Sequence, residues 1–161
     1  MTVNALERAD PVAALGAGRE IAMLRERVAE WLGEVDLELR EPLAAAFAGT
    51  PKSFRPLTLF AAHRAVHETA PPQASVELAF AIELAHNMSL IVDDVLDESE
   101  LRRGSPTLQR GFGRLPALMA SGYLVADAFE VVAGDPFATR HLSELLRRLA
   151  SAECLQWRLR R

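Results

Sequence analysis

Lysine is almost missing from this 161-residue chain: of its 18 Lys and Arg residues only Lys52 is a lysine, and the other cations are arginines. Cysteine is nearly as scarce. The single thiol, Cys154, excludes an internal disulfide, has no zinc-ligand spacing around it, and fits a buried structural role in a reducing cytoplasm. The net charge of −4 carries no basic surplus of the kind that nucleic acid attracts. No apolar run approaches the length of a membrane span, and Met1 to Gly18 has neither the basic start nor the apolar centre of a signal peptide. Alternating apolar and polar positions, the mark of half-buried strands, are lacking, and so are internal repeats.

Half of the residues are hydrophobic, enough for the core of one globular domain. Charge is unevenly placed. Residues 1–100 carry net −9 and residues 101–161 net +5, which together make the −4 of the whole. Residues 1–18, rich in Ala and Gly, read as a loose lead-in, and 19–161 as the folded domain.

The spacing of apolar residues predicts helices throughout. From Arg19 to Arg40, Ile21, Leu24, Val28, Trp31, Leu32, Val35 and Leu39 recur at three and four. Pro42 is expected to begin a short turn through Phe47. Pro56 suits the first turn of a helix running to about Val66. Residues 74–98 are apolar almost all round, so that helix belongs at the centre. Two more are expected over Pro116 to Val132 and from Thr139 onward. The class is all-α, a bundle of packed helices.

The stretch from Glu83 to Thr107 concentrates the chemistry. At about 100° per residue, His86, Asp93 and Asp97 lie within roughly 20° of one line, with Asp94 beside it. Asp93 and Asp97 repel at i,i+4, and Glu98 and Glu100 add to the repulsion. Such a set is either an acidic helix end or a magnesium site, since proteins hold that ion through one or two carboxylates and let substrate phosphates complete the octahedron. Arg102 and Arg103, before the Gly104-Ser105-Pro106 break, could grip a diphosphate or neutralise the aspartates. Lys52 and Arg55, at a helix start, could receive an anion or remain surface charge. His86 is a core histidine or a pocket residue, and its alignment with Asp93 favours the pocket.

Three ordered blocks resemble the trans-isoprenyl diphosphate synthases, the polyprenyl synthetase family. They are Lys52-x-x-Arg55-Pro56, then Glu83-x-x-His86-x-x-Ser89-Leu90-Ile91-Val92-Asp93-Asp94-x-x-Asp97, then Arg102-Arg103-Gly104-x-Pro106-Thr107. Glu153-x-x-Gln156 is similar to a step on a later helix of long-chain members. The resemblance implies an isoprenoid synthase-like helical bundle, here incomplete, with residues 19–161 the N-terminal part of a polyprenyl synthetase domain that includes the first aspartate-rich motif. It implies a cytoplasmic, magnesium-dependent prenyltransferase of isoprenoid biosynthesis, which joins isopentenyl diphosphate to an allylic diphosphate. By that match Asp93 and Asp97, with Asp94 supporting, would hold magnesium. Lys52, Arg55, His86 and Arg103 would bind the diphosphate of isopentenyl diphosphate, and Arg102 would touch the allylic one. Met88 and Ser89, four to five residues before Asp93, would line the pocket for the growing chain and let it reach about twenty carbons or beyond.

Ser53 stands where the family often has another basic residue, and Ser121-Gly122 replaces an expected Gly-Asp. The family's second aspartate-rich motif has no counterpart here, where Asp127 and Asp135 are isolated. A homodimer or a partner subunit is therefore expected, and the alternative to a prenyltransferase is a catalytically incomplete subunit that pairs with a full-length synthase. Class I terpene cyclases share an aspartate-rich helix but leave the Lys-Arg and Arg-Arg-Gly blocks unexplained.

Overall fold

The computed structural model describes residues 11–48, 53–67 and 72–159. Among them the chain forms α1 (Pro11–Ala14), α2 (Gly18–Glu34), α3 (Leu37–Phe47), α4 (Phe54–His67) and α5 (Gln73–Leu96). A hairpin of β1 (Leu101–Arg102) and β2 (Ser105–Pro106) follows, then α6 (Leu108–Phe112), α7 (Arg114–Val131) and α8 (Pro136–Leu159). The all-α bundle is as expected, with four differences in detail.

The loose lead-in does not extend to Gly18. Pro11–Ala14 is a helical turn and Ala17 is fully buried, with Arg64 of α4 donating to the carbonyls of Leu15 and Gly16 and pairing with the buried Glu20 at 2.7 Å. The expected single helix over Arg19 to Arg40 is two. Val35 and Asp36 are extended, Val35 is buried at the bend, and the Arg40 guanidinium turns back to the carbonyls of Gly33 and Val35 at 3.0 and 2.9 Å. Those carbonyls would otherwise lack partners at the end of α2. Pro42 lies inside α3 rather than at its start. Finally, Leu101 pairs with Pro106 and Arg102 with Ser105 in a two-residue antiparallel ladder. Its loop residues, Arg103 and Gly104, both have positive φ (54° and 85°), the conformation that matches strand twist in a tight hairpin.

α5 is the central helix and lies mainly against α7. Val76, Phe80, Leu84, Ile91 and Val95 are buried on α5, and Ala117, Ala120, Ser121, Leu124 and Ala128 on α7. The short side chains of α7 suit close approach. By length and hydropathy α5 would pass for a membrane span, contrary to the sequence expectation, yet it fills the middle of the bundle. Trp31 ties α2 to its neighbours: its ring meets Phe47 and Phe80 edge-on at 5.3 and 5.8 Å, and its indole N–H donates to Asp127. Asp127, isolated in sequence, is thus a core partner. Arg27 lies over the Phe80 ring at 4.6 Å and pairs with Glu77 at 3.2 Å.

α8 begins at Pro136, three residues before its expected start. Asp135 Oδ1 accepts from the N–H groups of Phe137 and Ala138 (2.9 and 3.0 Å), and proline at the first position has no N–H to satisfy. Only Leu142 of this helix is buried, while Leu145, Leu149 and Leu155 stay exposed. Cys154 is exposed as well, not buried as its sequence context suggested.

Candidate active site

A cavity of about 780 Å³ opens between α2, the end of α3, the start of α4, α5 and the hairpin. Leu24, Val28, Leu90 and Ile91 form apolar wall, while Arg55, Glu83, His86, Asn87, Asp94, Arg102 and Arg103 supply its polar groups. Residues far apart in the chain, from Ile21 to Leu108, converge here because α2, α4, α5 and the hairpin border the same space. Arg55 is the second residue of α4, beside helix N–H groups that lack intrahelical acceptors. Pro56, one step on, is buried and needs no N–H partner.

The local chain path behind Arg102 and Arg103 starts at the C-terminus of α5. Asp97 N–H donates to Asp93 O (2.8 Å), Glu98 takes a left-handed conformation (φ 51°), and Ser99 N–H reaches back to Asp94 O (2.9 Å). This closing pattern normally uses glycine at the left-handed position, and here Glu98 fills it. The chain then returns through the hairpin, and Arg102 Nε donates to Asp94 Oδ2 at 2.8 Å while Nη2 reaches Leu90 O at 3.4 Å. Asp94 is 6% exposed. Its carboxylate is engaged by a cation that the hairpin delivers, and that hydrogen bond raises the Arg102 pKa.

The electrostatics distinguish the cavity from the carboxylates at the end of α5. Burial, followed by the positive charges of Arg55, Arg103 and Arg102, lowers the His86 pKa to about 4, so the imidazole is neutral at physiological pH and acts through its N–H and lone pair. Burial raises the Glu83 carboxyl and Arg55 opposes that shift. Asp93 is raised by burial and by the nearby Glu153, with Asp97 and Asp94 adding repulsion and Arg102 opposing it. Negative charge therefore accumulates around Asp93.

Of the residues singled out in sequence, Arg55, His86, Asp94, Arg102 and Arg103 line this one cavity. Lys52 lies outside the described residues. Asp93 and Asp97 do not line it. Asp97 edges a second cleft of about 430 Å³, formed with Leu96 and with Glu153, Cys154, Gln156, Trp157 and Arg158 of α8. The line through His86, Asp93 and Asp97 is thus divided: His86 lines the larger cavity, Asp97 edges the second cleft, and Asp93 lines neither. Asp94, given a supporting part by sequence, lines the larger one. Met88 and Ser89 line neither cleft: Met88 packs against the hydrophobic core, and Ser89 Oγ donates to His86 O at 2.8 Å. Two further residues escaped the sequence reading. Asn87 Nδ2 donates to Glu83 O (2.9 Å), and Gln109 Nε2 donates to the carbonyls of Asp94 and Ser99. A short polar residue after Thr107 gives no pattern by which Gln109 could be found.

No group of three or more His, Cys, Asp or Glu side chains converges as a metal cage among the described residues. The donor set still fits a hard divalent cation of the kind held by two carboxylates and substrate oxygens. Asp93 and Asp97 offer oxygen ligands one turn apart, Asp94 is reserved by Arg102, and the excess negative charge at Asp93 lacks a full counter-charge.

The fold and site define an all-α helical bundle whose carboxylate-rich central helix faces an arginine-lined cavity. The sequence pattern of the polyprenyl synthetase family matches residues 36–161, and the chain belongs to that family. It is 34% identical over 127 residues to a geranylgeranyl diphosphate synthase of Pseudescherichia vulneris, covering 71% of this chain and 40% of that protein. It is 30% identical over 158 residues to a nonaprenyl diphosphate synthase of Mycobacterium tuberculosis, covering 97% and 47%. The structure superposes on a decaprenyl diphosphate synthase from Rhodobacter capsulatus with a TM-score of 0.80 at 27% identity, covering 91% of this chain and 45% of that one. The chain spans less than half the length of each of these relatives.

Proposed function

We propose that this chain forms the diphosphate-binding half of a trans-prenyltransferase site that condenses isopentenyl diphosphate with an allylic diphosphate. The observation that carries this reading is the convergence of Arg55, His86, Arg102 and Arg103 on one cavity, directly beside the carboxylates Asp93 and Asp97. Arg55 from the start of α4 and Arg103 from the hairpin both line the cavity and would hold a diphosphate by charge-assisted hydrogen bonds. His86, neutral, contributes an N–H donor without adding charge, and it can accept a proton as an anion enters and cancels the arginine field. Arg102 stays on Asp94 and presents its remaining N–H groups to the ligand.

Asp93 and Asp97 would hold Mg2+, which when bound supplies charge neutralisation for a departing diphosphate. The chain's own contribution to the carbon chemistry is exclusion of water. Leu24, Val28, Leu90 and Ile91 give a growing carbocation apolar surroundings and no nucleophile. A site of this kind works by placing the isopentenyl double bond against the cation and letting a proton leave to restore the alkene. The localisation this implies is cytoplasmic.

A second reading, a subunit that works only beside a partner, draws on the exposed apolar side chains of Leu115, Leu118, Met119, Leu145 and Leu149 on α7 and α8. Surface of that kind marks interaction sites. Both readings share the diphosphate site, so one experiment addresses it. Magnesium with inorganic pyrophosphate at a hundredfold excess over its dissociation constant should stabilise the protein by about 2.7 kcal/mol, and Asp93→Ala with Asp97→Ala should remove that gain. Equal responses of wild type and double variant in thermal melts would show the site assignment to be wrong. A radiolabelled condensation assay, with and without a full-length synthase, separates enzyme from subunit.

A further inference from the structure

The hairpin bearing Arg102 and Arg103 has little packing of its own. Leu101, Arg103, Gly104, Ser105 and Pro106 are all exposed, and a two-residue ladder holds nothing in place by itself. Its position is set at its base. Thr107, the N-cap of α6, donates its N–H to Glu100 O (3.0 Å) and its Oγ1 to Ser99 O (2.7 Å). Gln109, in the first turn of α6, donates Nε2 to Asp94 O at 2.7 Å and to Ser99 O at 3.0 Å. A single amide therefore spans the bend at Glu98, with one proton on the last turn of α5 and the other on the segment leaving it. Asp94 O already accepts the Ser99 N–H, so Gln109 occupies its second lone pair.

We infer that Gln109 is the positioning residue that locks the Arg102–Arg103 hairpin to the aspartate end of α5, and so fixes both arginines for capture of a diphosphate. The side chain it steadies through the backbone, Asp94, is the one that holds Arg102, so backbone and side-chain links close one ring: Gln109 to Asp94, Asp94 to Arg102, Arg102 through the hairpin to Thr107, and Thr107 to Gln109. The Gln109 amide NH2 supplies two protons for two carbonyls without adding charge. A glutamate of the same size supplies none and sets its charge against both. The structural part of this inference stands on the hydrogen bonds alone, and its consequence for anion capture rests on the function proposed above.

The test compares wild type with Gln109→Glu, Gln109→Leu and Gln109→His, the last of which keeps one ring N–H for one carbonyl. Hydrogen exchange read residue by residue and magnesium pyrophosphate affinity by calorimetry are measured beside urea unfolding. In Gln109→Glu and Gln109→Leu, amides of residues 99–105 should exchange at least tenfold faster while core amides of α5 and α7 keep their protection. The pyrophosphate dissociation constant should rise about tenfold at a nearly unchanged unfolding midpoint, and Gln109→His should fall between. Unchanged exchange at 99–105, or faster exchange spread evenly over α5 and α7, overturns the positioning role. Wild type that fails to bind magnesium pyrophosphate defeats the proposed function instead, and the exchange pattern then decides the role of Gln109 by itself. Exchange that rises locally with an unaltered dissociation constant overturns the link to anion capture.

Discussion

Arg102 and Asp94 should show unequal costs on removal, and the inequality follows from their burial. The carboxylate side chain is 8% exposed and the guanidinium 35%, with Nε and Oδ2 2.8 Å apart. Unit charges near 4 Å interact by about 4 kcal/mol at an effective dielectric constant of 20. Solvent reaches a third of Arg102, which reduces the coupling to about 2 kcal/mol. Arg102→Ala strands a buried carboxylate and should cost about 3 kcal/mol, the low end for a broken buried pair. Asp94→Asn keeps the size and one acceptor oxygen, and the freed guanidinium turns to water, so its cost should be about 1 kcal/mol. The double variant should be less damaged than the two single costs added, by the coupling. Urea unfolding followed by circular dichroism gives each value from the midpoint at constant slope. At 1 M salt, where the Debye length is about 3 Å, most of the coupling should survive because the pair is largely out of solvent. Equal single-variant costs, or a coupling below about 0.5 kcal/mol, would refute the view that the hairpin delivers Arg102 to neutralise Asp94.

Other outcomes follow from single contacts. His86, with its pKa lowered from 6.5 to about 4, favours the neutral form in the folded state, so its contribution is present above pH 6.5 and is lost as pH falls toward 4; His86→Gln should flatten that acid limb of the urea midpoint, and NMR should show the His86 pKa rising when pyrophosphate binds. Phe80→Ala opens a cavity at a fully buried position beneath Trp31 and should cost about 3 to 5 kcal/mol, read by the same unfolding assay. Asp127→Ala leaves the Trp31 N–H without its acceptor and should cost about 1 to 3 kcal/mol, with a shift in tryptophan fluorescence. Leu145→Glu with Leu149→Glu should lower the association seen by light scattering at micromolar concentration while leaving the melting temperature close to that of wild type.

The helices were legible because their apolar residues recur at three and four, and α5 announced its central place by being apolar nearly all round. The errors sit where a tertiary contact overrides a local signal. Pro42 signals a helix start, but a helix tolerates it in α3 once the preceding break is moved to Val35, whose buried side chain and capped carbonyl fix the bend. Asp36, the N-cap of α3, is a residue type that starts helices, but the unbroken three-and-four spacing of apolar residues across it masks that signal. The hairpin was missed because its ladder is two residues long and its turn holds Arg103 rather than Asn at the first positive φ.

The site was legible as a set of residues and not as an orientation. Adjacent residues on a helix point about 100° apart, so Asp93 and Asp94 meet different neighbours even though they share a motif. Spacing identifies His86, Asp93 and Asp97 as one line, but which side of that line meets the cavity depends on what packs around α5. Here α7 covers one side, α4 and the hairpin frame another, and α8 approaches the C-terminal turn from a third. The result is a division of labour. Asp94 faces the arginines and is consumed in holding Arg102, whereas the Asp93 pKa is raised by burial and by the nearby Glu153. Neighbours in sequence, Asp93 and Asp94 thus differ in setting: the second is neutralised by Arg102 inside the arginine-lined cavity, while the first meets further carboxylates, opposed only by the charge of Arg102.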